Sequence, residues 1–235
     1  MPLAVITGAS RGLGLALARS LGHQGWDLVV DARDGDALER AMAALEAPGK
    51  AIAIAGDVAD QGHRDEMAEA ARGFDGVDLL VNNASTLGVS PLPTLDRYSI
   101  DELERVYRVN AIAPLAVIQL LLPELEAAGG TIVNVTSDAA AEPYEGWGGY
   151  GSSKAALEQL TAILAAEQES LRVYAFDPGD MRTVMHQEAF PDEDISDRPE
   201  PEAVVPSLLR LINERPPSGR YRSNDPAPTP QEVGS

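Results

Sequence analysis

The chain has 235 residues, 44% of them hydrophobic and 23% charged, which suits one folded α/β domain and argues against wholesale disorder. Eighteen basic against 37 acidic residues leave a net charge of −19. That charge repels phosphate backbones and anionic lipid, so neither nucleic acid nor a membrane is expected as a partner. The absence of cysteine excludes disulfides, thiolate metal sites and cysteine nucleophiles. His23, His63 and His186 are widely scattered; they read as surface or helix-end residues, and no metal is expected. The chain runs from Met1 straight into a short apolar strand with no leader-like stretch, so a cytoplasmic location is expected.

In chain order, short apolar runs alternate with segments of helical spacing, the pattern of repeated βαβ units around a parallel sheet. Strands are expected at Leu3–Thr7, Asp27–Ala32, Ala51–Gly56, Val77–Asn82, Thr131–Ser137, Val173–Asp177 and 219–222. Helices are expected near 12–24, 35–46, 60–72, 101–127, 150–169 and 202–214. Runs such as Leu79-Leu80-Val81 are apolar at consecutive positions, as strands covered on both faces require. The fold class is therefore α/β, a single doubly wound parallel sheet of six or seven strands with helices on both faces. One domain over 1–223 is expected, with 224–235 as a frayed tail. The acidic, proline-punctuated stretch 184–201 reads as a mobile loop over something.

Four segments carry chemistry. Thr7-Gly-Ala-Ser-Arg-Gly-Leu-Gly14 joins the first strand to the first helix. Its glycines allow a tight turn, and the helix N-terminus offers free N–H groups to a pyrophosphate. About 20 residues on, the second strand ends in Val29-Val-Asp-Ala-Arg33, where a dinucleotide fold selects its ribose partner. Asp31 would accept from a 2′-hydroxyl, whereas Arg33, with Arg11 in the glycine turn, would pair with a 2′-phosphate. The arginines favour NADP(H) while leaving NAD(H) open.

Tyr150 and Lys154 stand at i and i+4, on one helix face. An ammonium about 5 Å from a phenol is worth roughly 3 kcal/mol at an effective dielectric near 20. Lys154 is thus expected to bring Tyr150 toward neutrality for acid–base work. Ser137, 13 residues before Tyr150, has a hydroxyl suited to stabilising a carbonyl oxygen.

Over residues 3–222 these segments resemble the short-chain dehydrogenase/reductase family. The matching pieces are the Thr7 to Gly14 turn, Asp57-Val58 after the third strand and Asn82-Asn-Ala-Ser85 after the fourth. Asn110, Ser137, the Tyr150/Lys154 pair, Pro178-Gly179 and Thr183 complete the series. The resemblance implies an NADP(H)-dependent oxidoreductase interconverting a carbonyl and an alcohol, with Asn110, Ser137, Tyr150 and Lys154 as catalytic residues. In it, Asn110 holds a water that relays protons from Lys154. Gly8, Ser10, Arg11, Gly12, Leu13, Gly14, Arg33, Asp57, Val58, Asn83, Ala84, Tyr150, Lys154, Pro178, Gly179 and Thr183 would hold the cofactor.

Asn82 is expected to tie strand ends together. The small-molecule substrate is not specified by these residues. Ser85 stands where the family has glycine and should tighten the geometry beside the cofactor; Asp138, Glu142, Tyr144 and Trp147 should make the pocket more polar or acidic. Small and apolar residues along 150–169, together with the family's habit, imply a homodimer or homotetramer built on the helices near 101–127 and 150–169. Two rivals remain at this stage. One is a dinucleotide-sensing regulator with little turnover; the other is an epimerase or dehydratase, a class that usually carries a longer substrate domain.

Overall fold

In the computed structural model, which describes residues 1–45 and 48–225, seven strands form one parallel sheet in the order β3-β2-β1-β4-β5-β6-β7. They are β1 (Leu3–Ile6), β2 (Asp27–Ala32), β3 (Ala51–Ala55), β4 (Leu79–Asn82), β5 (Thr131–Val135), β6 (Arg172–Asp177) and β7 (Gly219–Arg222). Every neighbouring pair is parallel, as the consecutive apolar runs required. Most of the stretch read as a tail lies outside the described residues.

Alternate residues of each strand feed two separate cores. Ala4 and Ile6 of β1 point to the layer holding α1 (Gly12–His23), α2 (Gly35–Ala43) and α8 (Pro201–Glu214). Leu3 and Val5 point to the opposite layer, with α3 (Gln61–Arg72), α5 (Ala113–Ala128) and the outer part of α6 (Gly148–Glu167). Asp34 and Asp60 start α2 and α3 by accepting from the N–H groups of Ala37 and His63.

Two expectations are corrected here. The single helix read over 101–127 is α4 (Ile100–Tyr107) and α5 joined through a π-helical turn at Arg108–Ile112. The cause lies in Asn110, whose side chain is buried and bonded to neighbouring elements at the middle of that turn. The segment 184–201, read as a mobile loop, opens with a helix, α7 (Val184–Ala189), capped by Thr183 Oγ1 accepting from His186 N at 3.1 Å. Met185 and Ala189 of α7 pack on the cluster of Leu87 and Tyr150. The ends of the segment are drawn together where Arg182 N donates to Pro199 O at 2.8 Å.

Candidate active site

The chain reverses direction across the sheet between β1 and β4, and the carboxyl ends of the strands open there into a cavity of about 640 Å³. A crevice at such a switch point is where open α/β sheets take ligands. At its β1 end the glycine turn is held rigidly. Gly8 (φ +70°) and Gly12 (φ +59°) adopt left-handed conformations, and a Cβ on Gly14 would stand 2.5 Å from Gly8 O. Asn83 Nδ2 donates to the carbonyls of Thr7 (2.9 Å) and Gly8 (3.0 Å), while Thr7 Oγ1 accepts from Asn83 N and Ala84 N, both at 3.0 Å. The N-cap of α1, Arg11, makes no side-chain cap, so the first N–H groups of that helix are left for an anion in the cavity.

Gly8, Ser10, Arg11, Gly12, Leu13, Arg33, Asp57, Val58, Asn83, Ala84, Ser137, Tyr150, Lys154, Pro178, Gly179 and Thr183 all line this one cavity. Gly14 supports it from behind the turn, and Asn110 stands outside its wall. Of the four residues expected to polarise the pocket, Asp138 and Trp147 line it; Glu142 and Tyr144 do not, although Tyr144 OH donates to Asp138 Oδ2 at 3.0 Å. Asp57 Oδ1 accepts from Ala59 N at 2.9 Å as a turn former, with its other oxygen making no such local bond. Asn82 does tie strand ends, donating to Asn134 Oδ1 at 2.8 Å.

Asp31 and Arg33 behave differently. Asp31 is buried, and both its oxygens are engaged: Oδ1 accepts from Gly8 N at 2.6 Å, and Oδ2 meets His63 Nε2 at 2.9 Å. The alternative in which Asp31 receives a ribose hydroxyl therefore lacks a free oxygen. Arg33 and Arg11 are exposed on the cavity rim. His63 stands in the first turn of α3, a helix-end residue as expected, but it is not at the surface: it is buried against Asp31 and beneath Gly56, where a Cβ would stand 2.2 Å from its ring.

At the other end of the cavity, Ser137 follows β5, and Tyr150 and Lys154 occupy the first turns of α6. Glycine at 151 lets the helix press on the preceding turn, since a Cβ there would stand 2.5 Å from Ala139 O. Tyr150 is buried and lines the cavity with Ser137 and Ser85. Ser137 Oγ donates to Asp138 Oδ1 at 2.9 Å. Lys154 is buried, donates to Val135 O at 2.8 Å and lies 5.6 Å from the centre of the Tyr150 ring.

The titration expectation is reversed. Burial pushes Tyr150 up to about 12, opposed by the Ser137 and Ser85 hydroxyls and reinforced by the Asp177 and Asp138 carboxylates. Burial also pulls Lys154 down to about 7, with Glu158 opposing. Desolvation is the largest cause for both groups, and an ammonium whose hold on its proton is weakened by burial supplies less field for a phenolate. With its phenol pushed up, Tyr150 keeps its proton at physiological pH.

The Asn110 side chain is fully engaged. Its Oδ1 accepts from Ser85 Oγ (3.1 Å) and Thr86 N (2.9 Å), and its Nδ2 donates to Thr86 O (2.9 Å) and Ser153 Oγ (3.0 Å). Two lone pairs and two protons are all an amide has. The side chain is thus saturated, and it brackets the segment after β4, the π-helical turn and α6.

Three charged residues that the sequence reading did not single out brace Ser137 from below. Arg220 of β7 donates to Ser137 O (3.3 Å), Asp177 Oδ2 (3.0 Å) and Glu158 Oε1 (2.9 Å), and Thr136 Oγ1 donates to the same Glu158 oxygen at 2.8 Å. Glu158 could have been found by its i+4 spacing from Lys154. No local signal marks Arg220, which arrives 83 residues after Ser137.

Comparison with known proteins finds relatives along most of the chain. The short chain dehydrogenase family description matches residues 2–194. A 3beta-hydroxysteroid dehydrogenase 1 of Eggerthella lenta is 35% identical over 214 residues, covering 88% of this chain and 78% of that protein. A sepiapterin reductase of Meriones unguiculatus is 34% identical, covering 78% of this chain and 75% of that protein. Among solved structures, an alcohol dehydrogenase from Thermococcus sibiricus complexed with 5-hydroxy-NADP superposes with a TM-score of 0.85 at 27% identity, covering 96% of this chain and 99% of that one.

Proposed function

Because this chain belongs to the short-chain dehydrogenase family and is an NAD(P)-dependent oxidoreductase, we propose that it uses NADP(H) to interconvert a carbonyl and an alcohol. The observation that carries the proposal is the convergence of the Ser137 and Tyr150 hydroxyls beside Lys154, in the same cavity as the glycine turn. A constellation at working spacing also argues against a sensor without turnover.

The cavity fits a dinucleotide on its own chemistry. The turn at Gly14 is too tight for any Cβ, and the uncapped start of α1 suits a pyrophosphate. Asp57 and Val58 stand ready for the adenine, and Pro178, Gly179 and Thr183 for the nicotinamide end. Arg33 and Arg11 provide two charge-assisted contacts for a 2′-phosphate, whereas Asp31 is occupied by Gly8 and His63. These differences support NADP(H) over NAD(H).

When bound, the nicotinamide supplies or accepts the hydride. Tyr150 holds the proton that the carbonyl oxygen acquires, and its neutral form suits the reduction direction. Ser137 orients the same oxygen. For that purpose its proton must turn away from Asp138, where a carboxylate now receives it. Lys154, whose ammonium is weakened by burial, would hold the ribose of the cofactor.

The proposed assembly is a homodimer or homotetramer. Ile163 and Ile112 are 45% and 56% exposed on α6 and the π-helical turn. In the most apolar stretch of Ile100–Ala128 only 39% is buried within the chain, leaving apolar surface that a second copy would cover. The function is tested by incubating the protein with NADPH and a panel of ketones, aldehydes and quinones while following loss of NADPH absorbance. Turnover of at least one carbonyl is expected; binding of NADPH without turnover of any would contradict the assignment.

A further inference from the structure

His63 is a buried titratable group that the proposed reaction does not use. Asp60 Oδ1 accepts from His63 N at 3.1 Å and fixes the residue in the first turn of α3. Its ring reaches the carboxyl end of β2, where Nε2 meets Asp31 Oδ2 at 2.9 Å. A carboxylate only accepts, so Nε2 carries the proton of this bond. The other ring nitrogen, Nδ1, is buried with no hydrogen-bond partner among the described residues. Glycine at 56 makes room for it, since a Cβ there would stand 2.2 Å from Nδ1. A buried nitrogen without a partner is destabilising. An aliphatic side chain would fill the space without that cost, but would leave Asp31 without its donor.

Through Asp31 this contact reaches the cofactor cavity. Asp31 lies 23 residues after Gly8, at the strand end where an acidic side chain in a dinucleotide fold receives the ribose 2′-hydroxyl of NAD(H). Here Oδ1 accepts from Gly8 N at 2.6 Å, Oδ2 accepts from His63, and the side chain is only 2% exposed. Asp31 lines the cavity with Arg11 and Arg33, whereas His63 does not line it.

We infer that His63 is a positioning residue that sets cofactor specificity through Asp31. By holding the carboxylate inward, it withholds from the ribose an acceptor that would serve NAD(H) and repel the 2′-phosphate of NADP(H). The inference rests on the reading of the cavity as an NADP(H) site. Two effects of the one bond act in the same direction. A carboxylate turned toward the ribose would oppose the phosphate that Arg33 and Arg11 attract. It would also offer the 2′-hydroxyl an acceptor. Without the Nε2 donor, a buried carboxylate oxygen is left unpaired, and the nearest opening for it is the cavity that Asp31 lines. The bond to Gly8 N does not prevent this, because it engages Oδ1 alone.

The test is fluorescence titration of the full chain with NADPH and with NADH, read as the ratio of the two dissociation constants. His63→Leu, which keeps bulk and removes the donor, should narrow the preference for NADPH about tenfold. His63→Gln, whose amide can donate to Asp31, should keep the ratio within about threefold of wild type. Adding Asp31→Asn to His63→Leu should restore the preference, because no carboxylate is then left to release. An unchanged ratio in His63→Leu, including equal weakening of both nucleotides as a purely structural residue would give, overturns the inference. So does a narrowed ratio in His63→Gln, or one that persists in the double variant. If His63→Leu does not fold, Asp31→Asn alone decides. Both affinities should then shift by the same factor within about twofold, and a selective loss of NADH binding would show that Asp31 already receives the ribose hydroxyl, overturning the inference. A wild-type protein that prefers NADH refutes the NADP(H) reading, whereas the change of ratio on substitution still decides the role of His63.

Discussion

Replacing Lys154 with methionine should stabilise the cofactor-free protein, and by an amount that depends on pH. Burial pulls the Lys154 ammonium from its ordinary 10.5 down to about 7. At about 1.4 kcal/mol per pH unit, the folded state bears a cost of about 5 kcal/mol when the group is charged. Between the two values the folded chain binds fewer protons than the unfolded chain, so wild-type stability rises with pH across that window. The cost is fully present below about pH 7 and disappears above about 10.5. Methionine has similar length and no charge, and it forfeits the bond to Val135 O, worth about 1 kcal/mol. Lys154→Met should then exceed wild type by about 4 kcal/mol near pH 6 and roughly match it near pH 10. Urea unfolding of both proteins at several pH values measures the difference directly. A difference that stays constant over that range would mean that Lys154 keeps its charge when buried, and the reasoning from desolvation would fail.

Three other outcomes follow from the geometry. Gly14→Ala places a Cβ 2.5 Å from Gly8 O and 2.6 Å from Asn83 Nδ2; fluorescence titration should show NADPH affinity falling at least about tenfold, and unchanged affinity would remove the turn from the binding site. Arg33→Ala should weaken NADPH by about 1.5–3 kcal/mol and leave NADH within about twofold, measured by the same titration. Light scattering at moderate salt should give a mass of two or four chains, reduced by Ile163→Asp; a mass near 24.9 kDa at all micromolar concentrations would show that the exposed apolar surface is not an interface.

The sheet was legible because each strand must carry apolar residues on both faces, and those runs are short, bounded and evenly spaced. Ser137, Tyr150 and the glycine turn were legible for a related reason: each sits at a strand end or helix start, where local spacing decides what it can reach. The features that were not legible depend on long-range contact. The π-helical turn follows from the bonds Asn110 makes to Ser85 and Thr86, about 25 residues earlier, and to Ser153, 43 residues later. Helix α7 lies in a proline-punctuated acidic stretch and is held by Thr183 and by apolar contact with residues near Leu87. His63 is the helix-end residue its spacing suggests, but its burial against Asp31, 32 residues earlier, has no local signal. The titration of Tyr150 and Lys154 was misjudged because spacing reveals the attraction between two groups and says nothing of the water both have lost.

The role of Tyr150 is decided by comparing NADPH-dependent carbonyl reduction by wild type and Tyr150→Phe from about pH 6 to 9, with NADPH affinity measured in parallel. With a phenol pushed up to about 12, the wild-type reduction rate should show no loss of its proton donor across this range. The variant should lose at least about 100-fold in kcat while binding NADPH as wild type does. Retention of more than about a tenth of wild-type kcat, a loss of 1.4 kcal/mol or less, would contradict Tyr150 as the proton donor.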